Sequence, residues 1–362
     1  MRPVYLQGRG LISALGGNLT QALATLAAGG VAPQRITLPG GTEWPCFTLP
    51  HTGQDWRERA RQLACAAAAE AGLSGTGLAD RRDIPLFIAS SSLNIGAIEI
   101  EAHHRLGDSF HCADEVAAWL GWRGPVYIVS SACTSSLQAL LAAVRLVGSG
   151  AADDAVVLGI ELPNLFSISG FAAMQLLTPT RPRPLGAERD GIALGQAVAA
   201  LHLSAQPARW RMRGGSNIVD GRDPTGAIPE TVARMCERAL ADSGLQPSDI
   251  GLIKLQAAGS PANDANELEG MAAAFGTMPP LVTLKAALGH TLGASGAAEI
   301  ALLTACLESG VWPRADYAHD PALRHQLASA RPAAVRYVLA DILGFGGGHA
   351  AVVIEDTRVG TE

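Results

Sequence analysis

Ser130-Ser131-Ala132-Cys133-Thr134-Ser135-Ser136-Leu137 follows a β-branched run, Val126-Tyr127-Ile128-Val129, and opens an Ala/Leu-rich segment that reads as a helix to residue 147. Such a short apolar run is typical of a buried strand. The order of strand, small-residue turn and helix places a cysteine at or just before a helix N-terminus. Unpaired amide donors and the positive end of the helix dipole gather there, and both stabilise a thiolate. Ser, Thr and Ala leave room around the sulfur, so Cys133 reads as a nucleophile for acyl transfer. A buried structural cysteine is the other reading, and it is the one taken for Cys46, Cys65, Cys112, Cys236 and Cys306.

The same order of elements returns later in the chain. Leu281-Val282-Thr283-Leu284 reads as a strand, and the turn Lys285-Ala286-Ala287-Leu288-Gly289-His290-Thr291-Leu292-Gly293 leads into a helix that stops at Ser309-Gly310, as the first stops at Ser149-Gly150. A duplicated α/β unit with a site between its halves, 1–205 and 206–362, accounts for this echo, although any alternating chain yields some. Lys285 and His290 sit among Gly and Ala, where an imidazole is presented rather than packed. It could donate to or accept from a carbonyl there; a turn histidine satisfied by backbone is the plain alternative.

Around these segments, strands are expected at 4–7, 84–89, 155–159, 192–203, 210–218, 250–255, 335–341 and 350–355. Helices are expected at 19–28, 57–71, 229–243 and 264–275. Residues 163–174 read as an apolar loop, and the prolines of 180–184 exclude a helix. Hydrophobic residues are 48% of the 362 and charged ones 17%, a balance that suits a large buried core. The net charge of -6 and the lack of a basic stripe argue against nucleic acid, and an acidic partner would need a local basic patch. Scattered cysteines fit a reducing, cytoplasmic setting; no signal-peptide run and no membrane span are expected. His103, His104, His111 and Cys112 cluster without a zinc spacing, so no metal is expected. Gly8 and Gly10 follow a strand, but Ser13 and the missing acidic residue exclude a dinucleotide fingerprint.

The Cys133 and Lys285–His290 segments resemble the nucleophile and lysine-histidine motifs of β-ketoacyl-acyl-carrier-protein synthases, in the thiolase superfamily. Four further stretches agree, in family order: Gln7-Gly8-Arg9-Gly10-Leu11-Ile12-Ser13, Arg189-Asp190-Gly191, Ser260-Pro261-Ala262-Asn263-Asp264 with Glu267, and Gly344-Phe345-Gly346-Gly347. The resemblance implies an α/β thiolase fold, five-layered α-β-α-β-α from two duplicated halves, and a homodimer or a heterodimer with another ketosynthase. It implies that Cys133 takes an acyl group from acyl carrier protein, whose phosphopantetheine brings the thioester; no resident cofactor is implied. Backbone amides of Cys133 and Phe345 would form the oxyanion hole, His290 would stabilise the malonyl enolate, and Lys285 would pair with Glu299. Phe166 and Phe171 are candidates for the acyl tunnel, and Arg181 and Arg183 for the phosphopantetheine phosphate or the carrier.

Three departures stand out. Gln256 occupies the position of the family's first catalytic histidine; it can donate a hydrogen bond but cannot titrate. Gln196 replaces a usual Glu, and the chain is shorter than typical members. Because Cys133, His290 and Lys285 are kept, the resemblance implies decarboxylative condensation as the expected activity; the lost histidine and short loops favour the alternative, a non-condensing subunit resembling a chain-length factor.

Overall fold

A computed structural model describes residues 1–50, 55–73, 83–100 and 111–360. The chain first runs through β1 (Val4–Ser13), α1 (Leu19–Ala27), β2 (Gln34–Thr37), β3 (Glu43–Phe47), α2 (Trp56–Ala68), β4 (Leu86–Ala89), α3 (Ile95–Ile100) and α4 (Cys112–Leu120). It continues through β5 (Val126–Val129), α5 (Ser135–Ser149), β6 (Asp154–Glu161), α6 (Leu165–Ala173), β7 (Leu194–Gly195) and β8 (Ala197–Ser204). The later part comprises β9 (Trp210–Val219), α7 (Pro229–Ser243), β10 (Ile250–Lys254), α8 (Pro261–Phe275), β11 (Leu281–Val282), α9 (Lys285–Leu288), α10 (Ser295–Ser309), β12 (Tyr337–Leu343) and β13 (Gly348–Asp356).

Among the described residues, ten strands hydrogen-bond in the order β11-β10-β12-β13-β9-β1-β8-β6-β4-β5. Outward from the β9–β1 seam, both sides repeat one pattern. β8 pairs antiparallel with β1 on one side and β6 on the other, and β4 and β5 then continue parallel to β6. β9, β13 and β12 do the same, followed by parallel β10 and β11. The seam itself is short, pairing Val4, Tyr5 and Leu6 with Met212, Arg211 and Trp210. The sequence echo is thus a repeat of topology: β5 with α5 corresponds to β11 with α10, and each helix ends at a left-handed glycine, Gly150 or Gly310.

α5 and α10 pack against each other at the centre, and each touches strands on both sides of the seam. α2 and α4 cover one outer face, and α7 and α8 the other, which makes five layers. Ser295 through Leu307 are all buried, as a helix apolar on every side must be. The same central position explains Ala132–Ser149, a stretch apolar enough to cross a membrane by composition but 67% buried inside the fold.

Several expectations are corrected. Residues 163–174 are not a loop: they contain α6, started by Asn164, whose side chain accepts the Ser167 N–H. The expected strand at 192–203 breaks at Gln196, because its N–H bonds Phe47 O and its Oε1 accepts from Leu49 N. β2, β3, α3 and α4 were not anticipated, their apolar patterns being too short to register. Residues 180–184 are irregular, as their prolines require, although Pro182 and Pro184 are buried.

Gly296 lies where α10 crosses α5, and a Cβ there would stand 2.7 Å from Leu137 N. Gly296→Ala is expected to lower the urea midpoint, costing about 1–3 kcal/mol through overpacking.

Candidate active site

The turn after β5 decides where the Cys133 sulfur points. Ala132 sits at φ 51, a left-handed conformation that residues with a Cβ rarely adopt. Hydrogen bonds hold it: Ser135 Oγ donates to Ala132 O at 2.6 Å, the Ser131 N–H to Ser135 Oγ at 2.9 Å, and Thr134 Oγ1 to Ser131 O at 2.7 Å. Cys133 therefore precedes the helix by two residues and is 4% exposed. Burial pushes its thiol up to about 11, against Lys285 and the backbone N–H groups of Phe345 and Cys133, which pull it down. The lowered thiol pKa expected from the helix terminus is thus not found in the closed cleft, because loss of water outweighs the amides.

His290 is delivered from the other side of the seam. Gly289, at φ 69, turns the chain so that the His290 N–H bonds Ala193 O and the Gly195 N–H bonds His290 O, at 2.8 and 2.9 Å. His290 Nε2 then lies 2.9 Å from Cys133 Sγ. Nδ1 lies 3.0 Å from Lys285 Nζ and 3.2 Å from Ser295 Oγ. Burial and the neighbouring Lys285 and Lys254 hold the imidazole well below its usual pKa, so it is neutral at pH 7.

Lys285 pairs with Glu299. Sequence reasoning missed the second lysine on the same carboxylate: Lys254 Nζ donates to Glu299 Oε2 and to Asp341 O, each at 2.5 Å. Asp341 in turn contacts Glu267, and all five side chains are buried. The available signal was a lone charge inside an apolar strand, at Lys254 in Ile253-Lys254-Leu255 and at Asp341 in Ala340-Asp341-Ile342.

Gln256 follows β10, its backbone N–H bound to Glu267 Oε1 at 2.6 Å and its side-chain Oε1 without a protein partner. It lines one narrow cleft of about 50 Å³ together with Cys133, His290, Phe171, Phe345 and His349. Phe345 stacks on Phe171 with ring centres 5.2 Å apart. Its loop is pinned to residues 220–224 by Gly346 N to Pro224 O and Asp220 N to Gly347 O, at 2.8 and 2.9 Å. A Cβ on Gly347 would collide with Asp220 O, so only glycine allows that approach.

The remaining candidates lie elsewhere. Phe166 is 68% exposed, since five residues along α6 separate it from Phe171 and place it on the opposite side. Arg181 pairs with Asp316 on a different groove, and Arg183 pairs with Glu188; neither lines the Cys133 cleft. His111 meets Asp114, Cys112 is buried, and His103 and His104 lie outside the described residues. All six cysteines are free thiols.

Comparison with known proteins shows the family and the fold. The β-ketoacyl synthase N-terminal domain matches residues 67–207 and the C-terminal domain matches residues 215–316. A putative polyketide β-ketoacyl synthase 1 of Streptomyces cyaneus is 31% identical over 282 residues, covering 71% of this chain and 67% of that protein. The chain belongs to the β-ketoacyl synthase family. Within that family it is also 28% identical over 316 residues to the polyketide synthase ThaG of Burkholderia thailandensis, of which the match spans only 6%. Among solved structures, a ketosynthase, ApeO, in complex with its chain length factor, ApeC, from Xenorhabdus doucetiae is 25% identical with a TM-score of 0.84, covering 98% of both chains. The fold is the thiolase fold of ketosynthases.

Two outcomes follow from the site's electrostatics. Iodoacetamide alkylation of Cys133, followed by intact mass, is expected to be slow at pH 7 and to climb toward the thiol's value of about 11. Glu299→Ala leaves two buried lysines facing each other, and is expected to cost about 3–5 kcal/mol in chemical denaturation.

Proposed function

We propose that this chain is an acyltransferase of the β-ketoacyl-carrier-protein synthase type, which loads an acyl group on Cys133 and condenses it with malonyl-carrier protein. The 2.9 Å contact of Cys133 Sγ with His290 Nε2, beneath the amides of Cys133 and Phe345, carries this reading.

In the first step Sγ attacks the acyl thioester carbonyl. The carbonyl electrons move onto oxygen, which the two amides receive. The bond to the phosphopantetheine sulfur breaks, and the Cys133 proton passes to that sulfur. In the second step the malonyl thioester loses carbon dioxide, and the electrons of the broken C–C bond form an enolate. An ammonium at Lys285 donates to His290 Nδ1, so the neutral ring carries its proton on Nε2 and offers it to the enolate oxygen. The side-chain amide of Gln256 is the second donor. The enolate carbon then attacks the acyl carbon, the Cys133 thiolate leaves, and a proton from solvent restores the thiol.

Phosphopantetheine arrives on the carrier and is no resident cofactor. Arg181 and Arg183 remain the candidate carrier contacts, and Arg181 would exchange Asp316 for an acidic carrier side chain. A dimer is part of this reading: β5 is a sheet edge whose Tyr127 and Ile128 are 45% and 40% exposed, a surface that needs cover. The likeness to a ketosynthase paired with a chain length factor supports such a dimer. The halves would divide at 205/206, in the turn between β8 and β9, and free thiols favour the cytoplasm.

Gln256 favours a second reading, a chain-length-factor-like subunit that shapes the product of a competent ketosynthase. The test is intact mass after incubation with acyl-carrier protein, together with malonyl-carrier decarboxylation and elongation, alone and with a partner ketosynthase. An acyl adduct that disappears in Cys133→Ala, with turnover alone, is expected. No adduct and no turnover, with altered product length only in the mixture, would establish the subunit instead.

A further inference from the structure

Gln256 is held from its backbone side. Its side-chain Oε1 has no partner, so the 2.6 Å bond from its N–H to Glu267 Oε1 carries its placement. Glu267 itself rests against a second carboxyl. Glu267, on α8, and Asp341, on β12, are each 1% exposed or less, and they share a side-chain hydrogen bond. The Gln256 N–H lies against Asp341 as well, and no side-chain N–H or O–H of the described residues partners either Asp341 oxygen. Two ionised carboxylates only accept, so a hydrogen bond between them requires one proton.

The charges around the pair agree with a single proton. Lys254 faces it, reaching Asp341 O at 2.5 Å, while Lys285 faces Glu299. One negative charge on the pair and one on Glu299 balance the two ammonium groups in a region where all five side chains are buried. The other titratable groups facing the pair are Asp264, on α8, Glu299, on α10, and the Cys236 thiol, on α7, which burial and the two carboxyls hold protonated.

We propose that Glu267 and Asp341 are a positioning pair that holds one proton between them and thereby fixes Gln256 in the cleft. The inference rests on the condensing reading above, because it assigns Gln256 the second donor at the enolate oxygen. The shared proton ties α8 to β12 at the point where β10 ends. When it leaves, two carboxylates face each other, Glu267 shifts, and Gln256 loses its anchor. Burial, reinforced by each carboxyl's neighbour, raises Glu267 well above the usual carboxylate range. A group raised in this way keeps its proton at low pH and gives it up as pH rises, so decarboxylation falls on the alkaline side.

Asp341→Asn tests this without changing the charge. The Asn amide donates to an ionised Glu267, so the pair still carries one negative charge opposite Lys254 but has no proton to lose. Two readouts are needed. In infrared difference spectra of wild type against Asp341→Asn, a carboxylic-acid C=O stretch is expected in wild type and lost in the variant. In malonyl-carrier decarboxylation, the alkaline limb is expected to move to higher pH. Glu267→Gln, which leaves the charge on Asp341, should do the same if Asp341→Asn folds poorly. An identical infrared spectrum in both proteins, or an unmoved alkaline limb in a folded variant, would overturn the proposal. If the infrared band is lost but neither protein decarboxylates, the shared proton stands, and the condensing reading and the role given to Gln256 fall.

Discussion

Cys133 and His290 come from opposite sides of the β1–β9 seam, and their contact exists only because the backbone joins those sides next to it. His290 exchanges two hydrogen bonds with Ala193 and Gly195, across a gap that Gly289 and Gly195 keep free of side chains. The central helices α5 and α10 fix the same distance from below, since Ser136 Oγ accepts from Ala297 N at 3.1 Å where they cross. A shift of either helix would therefore move the nucleophile away from its imidazole. The geometry of the cleft and the packing of the core are one constraint here.

Behind that contact the protein buries five ionisable side chains close together: Lys254, Lys285, Glu299, Glu267 and Asp341. Removing charges from water is expensive unless each finds a partner of opposite sign, and this cluster does so around one carboxylate and one carboxyl pair. The same dryness holds the Cys133 thiol protonated at neutral pH and keeps His290 neutral.

Much of this was legible in the sequence. Cys133, His290, Lys285 with Glu299, and Phe345 were named from motifs, and the repeated topology from the echo between residues 126–150 and 281–310. α7 declared itself because helical period survives over its fifteen residues, and α10 because fifteen Ala- and Leu-rich residues run to a terminal glycine. α6 did not, since its apolar residues run all round and its start depends on one asparagine. The thiol's raised pKa was also hidden: a helix terminus can be read from composition, but the water excluded from it cannot. Lys254 and Asp341 were missed because nothing in a linear pattern says that two lone charges in separate strands meet.

β1 has a consequence for how the chain assembles. Its partners on either side, β8 and β9, are synthesised long after it, and it is their pairing with β1 that joins the two sides of the sheet. Such distant pairing is slow to form, and an unpaired apolar strand invites aggregation while it waits. Leu11 and Ile12 would need shelter during translation, and a fragment stopping at α5 would leave β1 and β4 without the strands that stand between them.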